Sequence, residues 1–106
     1  MTETADSRLS AGAYAPGGAP RVSPADIEAT IVSESYSVVQ SLTVCVLGLK
    51  NGTLITGESA CVYPENFDAE IGRKIARERA VNKIWALEGY LLAQRRYEDA
   101  LRYAGN

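Results

Sequence analysis

Within PENFDAEIGRKIARERAVNKIWALEGYLL, residues 64–92, an amide, an aromatic ring and five cations fall close together: Asn66, Phe67, Arg73, Lys74, Arg77, Arg79 and Lys83. These types suit a nucleotide-like anion. A ring can stack on a base, an amide can meet base or ribose edges, and guanidinium groups with the N–H donors of a helix start can hold phosphates. Each residue also has an ordinary role: Phe67 as core, Asn66 as an N-cap, the cations as a solvated helix face. Arg73 and Arg77 lie one turn apart on one face, and Arg79 and Lys83 on another. Like charges at that spacing repel unless an anion or a carboxylate sits opposite, and Glu70 could be that carboxylate for Arg73 or Lys74. The candidate ligand contacts are Asn66, Phe67, Arg73, Arg77 and Lys83.

Catalysis has little to work with. The chain has no histidine, which removes the commonest general base, and two cysteines, Cys45 and Cys61, too few soft ligands for a usual zinc site. Only carboxylates remain, so no catalytic residue, metal or cofactor is expected. Eleven basic against thirteen acidic residues give a net charge of −2, unlike a dedicated duplex-DNA binder. From Asn66 onward, however, eight basic residues (Arg73, Lys74, Arg77, Arg79, Lys83, Arg95, Arg96, Arg102) face six acidic ones (Asp68, Glu70, Glu78, Glu88, Glu98, Asp99). A locally cationic segment on a mildly acidic chain fits a small anion better than a long polyanion. No apolar run approaches the roughly 20 residues of a membrane span, and no signal-peptide pattern opens the chain, so a cytosolic setting is expected.

The elements that must position these residues follow from pattern. Residues 1–21 are rich in Gly, Ala, Ser and Pro and are expected to form a disordered tail, leaving 22–106 as a single domain. Ser23-Pro24-Ala25-Asp26 reads as a helix start, and a short helix is expected over residues 24 to about 34; residues 35–40 read as loop or strand entry. Strands at 42–49 and 53–62 flank Asn51-Gly52, the signature of a two-residue type I′ hairpin. In that register Lys50 pairs with Thr53 and Cys45 with Glu58, the cysteines stay unbonded, and both faces are largely apolar. A long helix is expected from about Asn66 to about Arg102, with Phe67, Ile71 and Ile75 on one stripe and Ala76, Ala80, Ile84, Leu87 and Leu91 on the next. Gly72 and Gly89 mark a bend or a close contact. The fold class is α+β: a short N-terminal helix, an antiparallel β-hairpin or small sheet, and a long kinked C-terminal helix whose broad apolar face pairs in a dimer.

At NGTLITGESACVYPENFDAEIGRKIARERAVNKIWALEGYLL the chain resembles a small family of bacteriophage proteins, found in tailed phages and prophages, that includes the first Thoeris anti-defence proteins. The strand end before Cys61, the Pro-Glu-Asn-Phe-Asp turn, the Glu-Ile-Gly-Arg-Lys helix start and the Trp-Ala-Leu-Glu-Gly-Tyr-Leu-Leu segment carry the likeness. The resemblance implies a sponge: a protein that binds a cyclic ADP-ribose-type or related cyclic nucleotide immune signal in the host cytoplasm without degrading it. It implies helix-paired homodimers that can assemble further, with ligand pockets where subunits meet. Two features depart from the family pattern. The chain lacks a long insertion between the first helix and the hairpin, and Thr53 stands where relatives often place an aromatic, a part that Tyr63 could take. The rival reading is a phage inhibitor that contacts a host protein or nucleic acid directly.

Overall fold

The structure is a computed structural model in which residues 21–104 are described; the expected tail lies, apart from Arg21, outside them. The chain runs α1 (Pro24–Thr30), β1 (Ile31–Val39), β2 (Leu42–Leu49), β3 (Leu54–Ala60), a 3-10 turn (Pro64–Asn66) and α2 (Ala69–Ala104). The three strands form one antiparallel sheet in the order β1-β2-β3. Two compact units result: one holds Glu28–Ile84, and the other joins the described residues up to Ile27 with those from Trp85 on.

The capping box at α1 forms as its sequence suggests. Asp26 N–H donates to Ser23 Oγ at 3.1 Å and Ser23 N–H donates to Asp26 Oδ2 at 2.8 Å, so two otherwise orphaned donors are met reciprocally. The helix is shorter than its sequence pattern suggests. It stops at Thr30, and the residues expected in a helix up to 34 belong to β1, as do residues 35–39, for which strand entry is one of the two expectations. Serines at alternate positions hide this strand from a hydrophobicity pattern. Register against β2, continuous from Ser33↔Gly48 to Val39↔Leu42, supplies what local propensity lacks.

The turn between β1 and β2 places Gln40 at a φ of 56°, a left-handed conformation that costs a side-chain-bearing residue roughly 1–2 kcal/mol. Gln40→Gly is therefore expected to raise unfolding stability by about 1 kcal/mol, read as a higher urea midpoint at unchanged slope. An unchanged midpoint would count against that strain.

The β2–β3 hairpin exists, but its register is one residue away from expectation. Gly52 N–H donates to Leu49 C=O and Leu49 N–H to Thr53 C=O, both at 2.9 Å, so Lys50, Asn51 and Gly52 all lie in the loop. Of these three only Gly52 has positive φ, at 90°. This is the three-residue loop in which a glycine follows a tight turn, not the two-residue type I′ form. Asn51 instead turns its Oδ1 to accept Thr53 N–H at 3.1 Å. Cys45 consequently faces Gly57, and Leu47 faces Ile55. The slip matters because it moves every β3 side chain to the other face. Thr43, Cys45, Leu47, Leu49, Ile55 and Gly57 now share a buried face, while Leu42, Val44, Val46, Leu54, Thr56 and Glu58 share a more open one.

Onto the buried face comes α2. Its sheet-facing seam is Gly72, Ala76, Ala80 and Ile84, all buried, one residue from each successive turn. Small residues here permit near contact of main chains. A Cβ on Gly57 would strike Ala76 O and Ala80 N and lie 3.0 Å from Ala80 Cα, and a Cβ on Gly72 would lie 2.6 Å from Thr43 Oγ1. Glycine at 72 is thus a close contact, as its position in a helix suggests. At Gly89 an added Cβ meets nothing within 4 Å, and helical assignment is continuous through it. Thr43 is fully buried, with no hydrogen-bond partner for Oγ1 among the described residues, a cost of about 1–3 kcal/mol that the fold carries under the seam.

Candidate functional site

The approach to α2 is built by the 3-10 turn. Asn66 N–H donates to Tyr63 C=O at 2.8 Å and Phe67 N–H to Pro64 C=O at 3.1 Å, a tight turn that Pro64 favours by fixing its own φ. Helix α2 starts at Ala69, three residues later than the sequence pattern suggests, because Asp68 is the cap: its Oδ1 accepts the N–H groups of Glu70 at 3.0 Å and Ile71 at 3.2 Å. Asn66 is thereby free of capping. It is exposed, and its side chain has no partner among the described residues. Phe67 is half-buried, with its ring edge 3.8 Å from the Cβ position of Gly72, so much of the ring serves the packing at the helix start.

The cations fall on two flanks. On the β1 side, Arg77 donates through Nη1 and Nη2 to both carboxylate oxygens of Glu28 and through Nε to Glu34 Oε1 at 2.9 Å. Tyr36 Oη donates to the other Glu34 oxygen at 2.6 Å. The Tyr36 hydrogen bond and the Arg77 guanidinium hold the Glu34 carboxyl below its usual range. Burial, and the cost of giving up that bond to Glu34, push the Tyr36 phenol above its ordinary value. Burial likewise raises the Cys45 thiol, beside Tyr36 across the ladder. Cys45 and Cys61 are both free thiols, as expected, and Cys61 donates to Tyr63 C=O at 3.0 Å. On the β3 side, Arg79 donates to Glu58 C=O at 2.9 Å.

Arg73, Lys74 and Lys83 make no ion pair among the described residues. Arg73 is half-buried and Lys74 and Lys83 are exposed. An open groove of about 290 Å³ on the β1 flank is lined by Lys74, Arg77, Glu78, Val81 and Asn82. Asn66, Phe67 and Arg73 therefore sit around the start of α2, Arg77 is bound into a carboxylate network, and Lys83 lies roughly 20 Å along the helix at 1.5 Å per residue. One subunit does not bring all five candidates together. Lys74 and the groove were legible in principle, since Lys74 precedes Arg77 by one turn. Glu28 and Glu34 were not, because each lies more than forty residues from Arg77.

Residues 22–96 match the family described as phage protein (N4 Gp49/phage Sf6 gene 66). The chain belongs to that family. The match spans α1, the sheet, the 3-10 turn and most of α2, so the candidate site lies within it. No curated protein and no solved structure matches the chain. Among the described residues no helix is long and apolar enough to cross a membrane, and no group of His, Cys, Asp or Glu could hold a metal ion.

The Glu34 pair has a pH signature. A carboxylate whose folded pKa lies below its ordinary 4.5 contributes stability above that pH and loses it as pH falls through the lowered value. Arg77→Met removes the ion-pair share of that shift. The stability difference between wild type and Arg77→Met is expected to be largest near neutral pH and to shrink as pH drops below about 4.5. Melting curves from pH 7 to pH 3 measure it, and a constant difference would mean that the ion pair does not contribute.

Proposed function

We propose that this phage-family protein captures a cyclic ADP-ribose-type or related cyclic nucleotide immune signal in the host cytoplasm, holding it intact without a cofactor. The observation that carries the reading is that around the start of α2 Arg73 and Lys74 make no ion pair among the described residues, while Asn66, released from capping, is exposed. Unpaired cations near an exposed amide are what a pyrophosphate with ribose hydroxyls requires. Arg77 supports the site from behind by fixing Glu28 and Glu34. Lys83 is too far along α2 to reach the same small ligand within one subunit, so it serves a ligand that a second copy presents. Homo-oligomers are accordingly part of the proposal.

Binding without turnover is the simplest chemistry for this residue set. The chain has no histidine, and Glu34 is held by Tyr36 and Arg77. Calorimetry with cyclic ADP-ribose isomers and cyclic oligonucleotides tests the reading. The wild type is expected to bind one of them tightly and to release it unchanged on heating. Arg73→Gln should weaken that binding roughly ten- to a hundredfold, about 1.5–3 kcal/mol, at an unchanged melting temperature. Failure of the wild type to bind any of them, or recovery of a cleaved product, would overturn it. A second reading, direct contact with a host factor, is favoured by the exposed Tyr97, Leu101 and Tyr103 beside Arg95 and Arg96. A host protein retained by the full-length chain in the absence of any nucleotide would support it.

A further inference from the structure

The two edges of the sheet are treated differently. Leu49 N–H donates to Thr53 C=O, so the odd residues of β2 turn their main chain toward β3 and the even ones toward β1. By the same alternation Glu58 directs its carbonyl outward from β3, and there Arg79 Nη1 meets it at 2.9 Å. The β3 edge also carries the Glu58 carboxylate, which accepts from Thr56. Charges and side-chain caps of this kind protect an edge strand from pairing with another chain.

On strand β1 no side chain caps the outward main chain among the described residues. Ser33, Ser35 and Ser37 lie opposite Gly48, Val46 and Val44, even residues of β2, and so direct their N–H and C=O groups inward. Glu34, Tyr36 and Val38 are left with main-chain groups pointing out, and no main-chain partner for these occurs among the described residues. Seven of the nine β1 residues from Ile31 to Val39 have exposed side chains apart from Ile31 and Tyr36. Its one charge, Glu34, is already neutralised by Arg77.

The order of residues along this edge is self-complementary. Val32-Ser33-Glu34-Ser35-Tyr36-Ser37-Val38 reads the same in both directions about Ser35, except that Glu34 answers Tyr36. We propose that β1 is an interface with a second copy of this chain, the two strands pairing antiparallel about a two-fold axis at Ser35 to make one six-stranded sheet. In that register Val32 meets the partner's Val38, Ser33 meets the partner's Ser37, and Glu34 meets the partner's Tyr36. The β-branched Val–Val pairs are favourable cross-strand neighbours, and each Glu34, already satisfied by Arg77 and Tyr36 of its own subunit, brings no unpaired charge to the seam. The main-chain parity agrees: the outward-facing Glu34 and Tyr36 exchange N–H to C=O bonds across the axis, and Ser35 faces its own copy as a non-hydrogen-bonded pair. A two-fold interface must be self-complementary, and this segment is. The proposal does not depend on the nucleotide reading.

Cysteine cross-linking tests it residue by residue in the full-length chain carrying Cys61→Ser. Non-hydrogen-bonded pairs bring Cα atoms to about 4.5 Å, within disulfide range. Ser35→Cys is expected to give a disulfide-linked dimer on mild oxidation. Ser33→Cys and Ser37→Cys should each stay monomeric on denaturing gels, while an equimolar mixture of the two cross-links. A charge swap provides the non-covalent counterpart: Ser35→Lys and Ser35→Glu should each lose the strand-paired species, and mixing them should restore it. Ser35 is exposed, so these changes leave the subunit fold in place, which circular dichroism checks. A free Ser35→Cys thiol after oxidation, or Ser33→Cys cross-linking alone as readily as Ser35→Cys, would overturn the interface.

Discussion

Gly57→Ala should lower unfolding stability by about 3 kcal/mol, the upper end of what overpacking costs. The reason is what the new methyl would meet. Its neighbours are Ala76 O and Ala80 N, main-chain atoms of α2, with Ala80 Cα at 3.0 Å. A side chain could rotate aside, but a helix backbone cannot, so relief requires lifting α2 from the sheet. That would loosen the seam of Gly72, Ala76, Ala80 and Ile84 and expose Cys45, which is paired opposite Gly57. Urea unfolding measures the loss, and Gly89→Ala is the control. There the added Cβ meets nothing within 4 Å, so the better helix propensity of alanine should raise stability by up to about 1 kcal/mol. If Gly57→Ala were as stable as the wild type, the close helix–sheet approach described above would be wrong.

Gly57 also shows where a sequence stops informing. Asn51-Gly52 announces the hairpin, but it does not say whether the loop takes two residues or three. With only Gly52 at positive φ, the register slips by one, Cys45 meets Gly57 rather than Glu58, and the buried face changes membership. Local signals whose energetics close within a few residues were legible: the Ser23–Asp26 capping box, the turn glycine and the helical repeat of α2. Features decided by distant partners were not. Strand β1 has polar serines and owes its form to the ladder with β2, and the turn that ends it carries Gln40 where a glycine or asparagine would have been the signal. Arg77 looked like a ligand cation because its carboxylates come from Glu28 and Glu34, outside any helical spacing. Asn66 looked like a cap because Asp68 was weighed only for its charge. The types at the candidate site were thus readable, whereas which of them are already satisfied was not.

Leu91→Glu is expected to weaken self-association roughly a hundredfold or more, about 3 kcal/mol, while leaving the subunit folded. The apolar pattern of α2 is longer than the subunit's own use of it. Ala76, Ala80 and Ile84 are buried, but the expected continuation of that stripe is open: Leu87 is 45% exposed and Leu91 41%, followed by exposed Tyr90, Tyr97 and Leu101. These five recur at three-, four- and seven-residue intervals along one side of the helix, an arrangement that suits helix-on-helix packing. In the proposed oligomer the same stripe of a second copy covers it, and a glutamate at its centre would lose hydration without gaining a cation. Light scattering and sedimentation across micromolar concentrations measure the effect, with the wild type expected above the 11.4 kDa of one chain. In the Ser35→Lys background, where strand pairing is removed, an above-monomer mass that Leu91→Glu leaves unchanged would eliminate the helix stripe as an interface. If instead Leu91→Glu and Ser35→Lys each remove part of the assembly and together leave only monomer, two separate two-fold contacts join the subunits, and alternation between them extends the oligomer beyond a dimer.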